Sequence, residues 1–206
     1  MLNLTKLSNK YGCDKSDAKH RYTKLYQARF DEIRKQKFNM MEFGYGQGAS
    51  TRMWLEYFPN IKLFVVDKDP IKNPTPLLKY IKNGRLVYIE ASQLDSDSIF
   101  KVIKDNKFFI VIDDCSHVAE DEQFTMNFMF PRVVSGGWYV IEDLLCPRSH
   151  NKSFGVEADL TIDMLKIYNK TKRFQSKILT MDENLAIEKD IDNIKIYKKI
   201  AFIRKK

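Results

Sequence analysis

Apolar residues along the 206-residue chain follow two rhythms. The runs NMMEFGYG (39–46), IKLFVVD (61–67), RLVYIEA (85–91), KFFIVIDD (107–114) and SGGWYVIEDL (135–144) predict strands, the last entered by a Gly-Gly turn. DAKHRYTKLYQARFDEIRKQ (17–36) has helical spacing instead, with Tyr22, Leu25, Tyr26, Phe30 and Ile33 on one face. Further helices are predicted over ASTRMWLEYF, with Ser50 or Thr51 near its cap, PTPLLKYIKN, and DSDSIFKVIKDN, capped by Asp95 or Ser96. AEDEQFTMNFMF and EADLTIDMLKIYNK also read as helices, and the strand-like runs NIKIYKK and IAFIRKK follow. Apolar runs without alternation suit a parallel sheet covered on both faces. Strands alternating with helices imply right-handed crossovers and a doubly wound α/β sheet. Ligands bind such sheets beyond the carboxyl ends of the strands, so the polar residues closing each run are the candidates for chemistry.

Composition changes little. Hydrophobic residues make up 44% and charged residues 30%, which fits a globular protein, and no repeat or Pro/Gly-rich linker divides the chain. No apolar run approaches the roughly 18 residues of a membrane span. The N-terminus lacks the apolar core and cleavage site of a signal peptide. Cys13, Cys115 and Cys146 form no CxxC, which points to a reducing cytoplasm and no zinc site. A net charge of +8 leaves RNA or another anionic partner open, but the lysines are scattered and no basic stripe is interleaved with aromatics. A solvated lysine-rich surface is the expectation.

The first strand ends Glu42-Phe43-Gly44-Tyr45-Gly46-Gln47-Gly48-Ala49-Ser50. Alternate glycines allow a tight turn and close approach of a ligand to the backbone. Asp67 closes the second strand, where an acid can take ribose hydroxyls. A nicotinamide dehydrogenase would show GxGxxG, with its third glycine where Ala49 stands. The E-x-G-x-G-x-G pattern resembles motif I of class I S-adenosylmethionine-dependent methyltransferases, whose cofactor carries an α-amino group that an acid near the loop satisfies.

Asp113 and Asp114 close the fourth run, and Glu142 and Asp143 close the fifth. Neighbouring strands would bring two acidic pairs to one edge, where they repel and raise each other's pKa. A hard divalent cation such as Mg2+ removes that conflict. The alternatives are that Asp114 caps the next helix, and that Glu142 and Asp143 pair with a base such as Arg148. His117 lies three residues beyond Asp114, where a neutral imidazole can take a proton from an activated hydroxyl. His20 and His150 have no such neighbours in the sequence.

Taken together, YGCDK (11–15), Y-T-x-L-Y (22–26), EFGYGQGASTRMW, VVDKD, DDCSH and GGWYVIEDL resemble the metal-dependent sugar O-methyltransferases of macrolide biosynthesis and related cephalosporin hydroxylase-like proteins. The resemblance covers roughly residues 11 to 144. It implies a mostly parallel, seven-stranded Rossmann-like sheet with a C-terminal antiparallel strand. It also implies S-adenosyl-L-methionine and Mg2+ as cofactors, and a hydroxyl of a sugar or glycosylated small molecule as acceptor. Asp114, Glu142 and Asp143 would be the metal ligands and His117 the base. Glu42, Gly44, Tyr45, Gly46, Gly48, Ser50 and Asp67 would hold the cofactor, with Ser92, Gln93 and Asp95 near the adenine and Asp113 as support. Residues 1–36, with Tyr11, Asp14, Lys15 and Tyr22, would form a helical lid over a methyltransferase domain at 37–206. The group often forms homo-oligomers. Cys115 stands where it has glycine and Cys13 where it usually has threonine, and the loop 146–157 carries no substrate signature. A catechol-like or RNA acceptor, or a non-catalytic nucleotide- or sugar-binding protein, are the rival readings.

Overall fold

A computed structural model describes residues 3–145 and 150–206. Its order is α1 (Leu4–Tyr11), α2 (Thr23–Phe30), β1 (Asn39–Phe43), α3 (Ala49–Tyr57), β2 (Lys62–Asp67), α4 (Leu78–Lys82), β3 (Leu86–Glu90), α5 (Ser96–Ile103), β4 (Phe108–Asp113), α6 (Ala119–Met129), β5 (Val133–Ile141), α7 (Thr161–Thr171), α8 (Met181–Asp190), β6 (Ile191–Ile196) and β7 (Ala201–Lys205). The seven strands form one sheet in the order β3-β2-β1-β4-β5-β7-β6. β1 to β5 run parallel, and β7 is antiparallel to both its neighbours. The doubly wound sheet with an antiparallel strand near the C-terminus is as the sequence implied.

The central strands bury both faces, which explains their unbroken apolar runs. Met41, Phe43, Val111 and Ile141 pack into one core with α6 and α7. Met40, Leu63, Val65, Ile110 and Ile112 pack into the other, with α3 and the N-terminal segment. That segment is part of the core, since Leu4, Leu7, Tyr22, Tyr26 and Phe30 are all buried in it.

Three elements depart from expectation. The single helix expected over 17–36 is reduced to α2, because Arg21 adopts φ +63° and the chain before it is folded into turns. β5 starts earlier than SGGWYVIEDL suggested, at Val133, and passes Gly136 (φ +73°) as an irregularity in its pairing with β4. Helices α1 and α8 were not anticipated. Local chemistry starts both: Asn3 accepts from Lys6 N–H, and Thr180 with Glu183 forms a reciprocal capping box.

Strand register delivers the site. Phe43, Asp113 and Ile141 are level across β1, β4 and β5. The chain therefore leaves the sheet at one height through Gly44, Asp114 and Glu142. Backbone bonds hold this level, from Asp114 N to Phe43 O (3.0 Å) and from Glu142 N to Asp113 O (2.9 Å).

Candidate active site

The glycine loop packs directly on the end of β4. A Cβ on Gly44 would lie 2.0 Å from the Asp114 carbonyl oxygen, and its φ of +94° already excludes most side chains. Asp67 fixes the loop from the other side: its Oδ2 accepts from Tyr45 N (2.7 Å) and Gly46 N (3.3 Å), and its Oδ1 from Asp69 N (3.0 Å). Gly48 (φ +71°) starts α3, so Ser50 and Thr51 lie in its first turn rather than at its cap.

Two cavities flank this loop. One, of about 600 Å3, runs over Gly44, Gly46 and Asp67 to Ser92, Gln93, Cys115 and Ser116. Gln93 braces its far wall, accepting from Ser116 N (2.9 Å) and donating to Thr125 Oγ1 (3.0 Å). The other, of about 380 Å3, is lined by Gly44, Tyr45, Gly46 and Ser50 together with Asp114, His117 and Asp143. Asp95 lines neither; it caps α5 by accepting from Ser98 N.

Glu42 and Asp113 also lie apart from both cavities. Glu42 is buried behind the loop and accepts from Thr51 Oγ1 and Trp54 Nε1, both at 3.0 Å. It ties β1 to α3, and burial pushes its carboxyl up to about 7. Successive strand residues face opposite sides, so Asp113 points away from Asp114, against Tyr139 and beside Glu122 of α6. Burial and the neighbouring acids raise its pKa well above the carboxylate range.

Asp114, His117 and Asp143 each present a ligand atom within 4.8 Å of one another. His117 Nε2 is 3.8 Å from Asp114 Oδ1. Both His117 (φ +56°) and Asp143 (φ +53°) hold left-handed backbone, a local cost that such residues bear most often where geometry serves a site. Asp114 does not cap α6, whose N-cap is Val118. Cys146 and Arg148, with the rest of 146–149, lie outside the described residues.

The N-terminal segment completes the cluster. Lys15 is buried, and its Nζ donates to Asp114 Oδ2 (2.5 Å) and Glu142 Oε2 (2.8 Å). Tyr26 donates to Glu142 Oε1 and Tyr22 to Asp143 Oδ1, both at 2.6 Å. His20 Nδ1 is 3.3 Å from Asp143 Oδ1, so the sequence reading that left His20 without acidic neighbours is corrected. His150 likewise has acids on both sides, Glu120 and Glu157, each at 2.9 Å. Desolvation works against the Lys15 ammonium, but Asp114 and Glu142 more than offset it and hold its pKa well above the lysine range. Burial pushes Glu142 up to about 8 against the pull of that ammonium.

The donor set fits a divalent cation. With the three acids ionised and Lys15 protonated, two net negative charges remain, and carboxylate oxygens suit Mg2+ or a similar hard ion. Asp114 and Asp143 face the cavity, while Glu142 lies behind them between Lys15 and Tyr26. The groove from Gly44 past Asp67 to Ser92 and Gln93 has room for a nucleoside, with no arginine or lysine cluster placed for a pyrophosphate. Sequence reasoning pointed to the acids and His117. It missed that Lys15, Tyr22 and Tyr26 are their direct partners, for which the only signal was the YGCDK and Y-T-x-L-Y motifs.

This sheet order and a glycine loop at the first strand end define the class I methyltransferase fold. No protein-family model matches the chain. It is 35% identical over 155 residues to 8-demethyl-8-(2-methoxy-alpha-L-rhamnosyl)-tetracenomycin-C 3'-O-methyltransferase of Streptomyces olivaceus, covering 70% of this chain and 38% of that protein. It is 27% identical to mycinamicin VI 2''-O-methyltransferase of Micromonospora griseorubida, over 98% of this chain and 52% of the relative. The MycE methyltransferase structure in complex with Mg, SAH and mycinamycin VI superposes with a TM-score of 0.76 at 25% identity, over 99% of this chain and 54% of that one. The chain thus resembles the macrolide sugar O-methyltransferases, as its motifs implied, and spans about half the length of these relatives or less.

Proposed function

We propose that the protein is an S-adenosylmethionine- and Mg2+-dependent O-methyltransferase acting on a sugar hydroxyl. The observation that carries this reading is the shared cavity in which the glycine loop meets Asp114, His117 and Asp143. The loop and the groove past Asp67, Ser92 and Gln93 bind the donor, with its methyl end toward the acids. Asp114 and Asp143 hold the cation from the cavity side, with Glu142 as the third acid of the set. A bound divalent cation lowers the pKa of hydroxyls and orients them. His117 takes the acceptor's proton at Nε2, and the cavity walls align the oxygen with the methyl group. Glu42 acts through the loop it braces. Residues 1–36 serve as a lid fixed over the strand ends by Lys15 and Tyr22.

The names of the relatives support a sugar acceptor. Among the described residues no helix is long and apolar enough to cross a membrane, which accords with a cytoplasmic enzyme. The test is calorimetry with S-adenosylmethionine, which should show binding to the metal-free protein. Methylation should stop in EDTA and return with Mg2+. Absence of heat at millimolar ligand removes the proposal, and full turnover in chelator returns the acids to a structural role.

A further inference from the structure

A third cavity, of about 640 Å3, is lined by His20 and Tyr22, which both contact Asp143. Its walls are the turns before α2 and the turn between β6 and β7. Five cationic side chains line it: Lys19, Arg21, Lys24, Lys198 and Lys199. Asp17 is the one acid among its described lining residues, and it is paired with Lys24 at 2.8 Å. The other four cations have no acidic partner within ion-pairing distance among the described residues.

The cavity is joined to the active site in three ways. Lys19 lines both cavities. His20 and Tyr22, stacked with ring centroids 5.3 Å apart, line this cavity, and both contact Asp143, which lines the other. The Lys199 carbonyl accepts from Leu144 N (2.9 Å), which ties the basic turn to the residue after Asp143.

We propose that this cavity binds a phosphoryl group carried by the acceptor, so that the substrate is a sugar phosphate or sugar diphosphate rather than a neutral glycoside. The inference rests on the sugar O-methyltransferase reading and narrows its substrate. Four uncompensated cations around one concavity exceed what a single carboxylate balances and suit a multiply charged phosphoryl group. The volume lies in the range of small-molecule sites and is ample for a phosphoryl group. The cations line one concavity instead of tracking along a surface, which sets the site apart from a backbone-following nucleic-acid groove.

Calorimetry on the full chain would compare a hexose 1-phosphate, the same hexose unphosphorylated and inorganic phosphate. S-adenosylhomocysteine is present and Mg2+ absent, so that chelation of the ion contributes nothing. The hexose phosphate should bind at least about tenfold more tightly than either of the others. Lys198→Gln/Lys199→Gln should weaken it by about tenfold while leaving S-adenosylhomocysteine affinity unchanged. Equal binding of the two hexoses, or an unaltered affinity in the double variant, overturns the proposal. Inorganic phosphate binding as tightly as the sugar phosphate overturns the sugar part. A random RNA oligonucleotide that displaces the sugar phosphate with a steep salt dependence overturns it in favour of nucleic acid. If S-adenosylhomocysteine fails to bind while the hexose phosphate binds selectively, the methyltransferase reading falls and the anion site stands.

Discussion

The Lys15 ammonium lies 2.8 Å from the Glu142 carboxylate, joining residues 127 apart in sequence inside the protein. Removing one partner of a buried pair leaves the other charge uncompensated, which typically costs about 3–5 kcal/mol. Lys15→Met should therefore lower the melting temperature clearly in EDTA. Mg2+ should restore part of the loss, because a divalent cation satisfies the same carboxylates. An unchanged melting curve would show that Lys15 has no such role.

In the proposed reaction His117 takes the acceptor's proton and has no part in holding the donor. His117→Ala should reduce turnover by about 100-fold or more. Calorimetry should find S-adenosylmethionine affinity changed by no more than about twofold. Turnover close to the parent's would refute the base assignment.

Gly44→Ala tests the meeting of the loop with β4. The new methyl would lie 2.0 Å from the Asp114 carbonyl at a φ of +94°, and the obstacle is backbone that cannot swing away. The loop must shift, so both donor affinity and the urea midpoint should fall. Gly46→Ala meets no atom within 4 Å and should cost less stability despite its φ of +53°. Equal effects of the two substitutions would contradict the packing described.

Glu42 gives a pH dependence of known sign. Its carboxyl is raised from 4.5 to about 7 by burial, so the folded protein favours the protonated form. Its contribution to stability is complete below about pH 4.5 and is lost as pH rises through about 7. In Glu42→Gln the amide can still accept from Trp54 and meet Thr51. Urea unfolding should show the parent losing stability relative to this variant between those limits, at no more than about 1.4 kcal/mol per pH unit. A gap that stays constant with pH would exclude the effect.

The central sheet was legible because strands buried on both faces must be apolar throughout, as FFIVI at 108–112 is. Asp114, Asp143 and His117 were legible because polar residues directly after such strands emerge at one edge. The opposite fates of Asp113 and Asp114 follow from the two-residue strand period. Glu42 was harder, since its bonds to Thr51 and Trp54 depend on how α3 packs back on β1. The partners from 15 to 26 were least legible: helical spacing there hid a left-handed Arg21, and tertiary contacts with the acids override the local preference. Nothing local to Lys15 says that it will be buried.

That burial also sets an order of events during synthesis. Lys15 finds its carboxylate partners, Asp114 and Glu142, only after β4 and β5 exist. Until then, an ammonium destined for the interior stays solvated, although Glu56 on α3 is already there for Lys10 and Tyr11. The cluster of acids at the strand ends is thus assembled late, and a chain interrupted before Glu142 would contain an intact glycine loop while Lys15 still lacked one of its carboxylate partners.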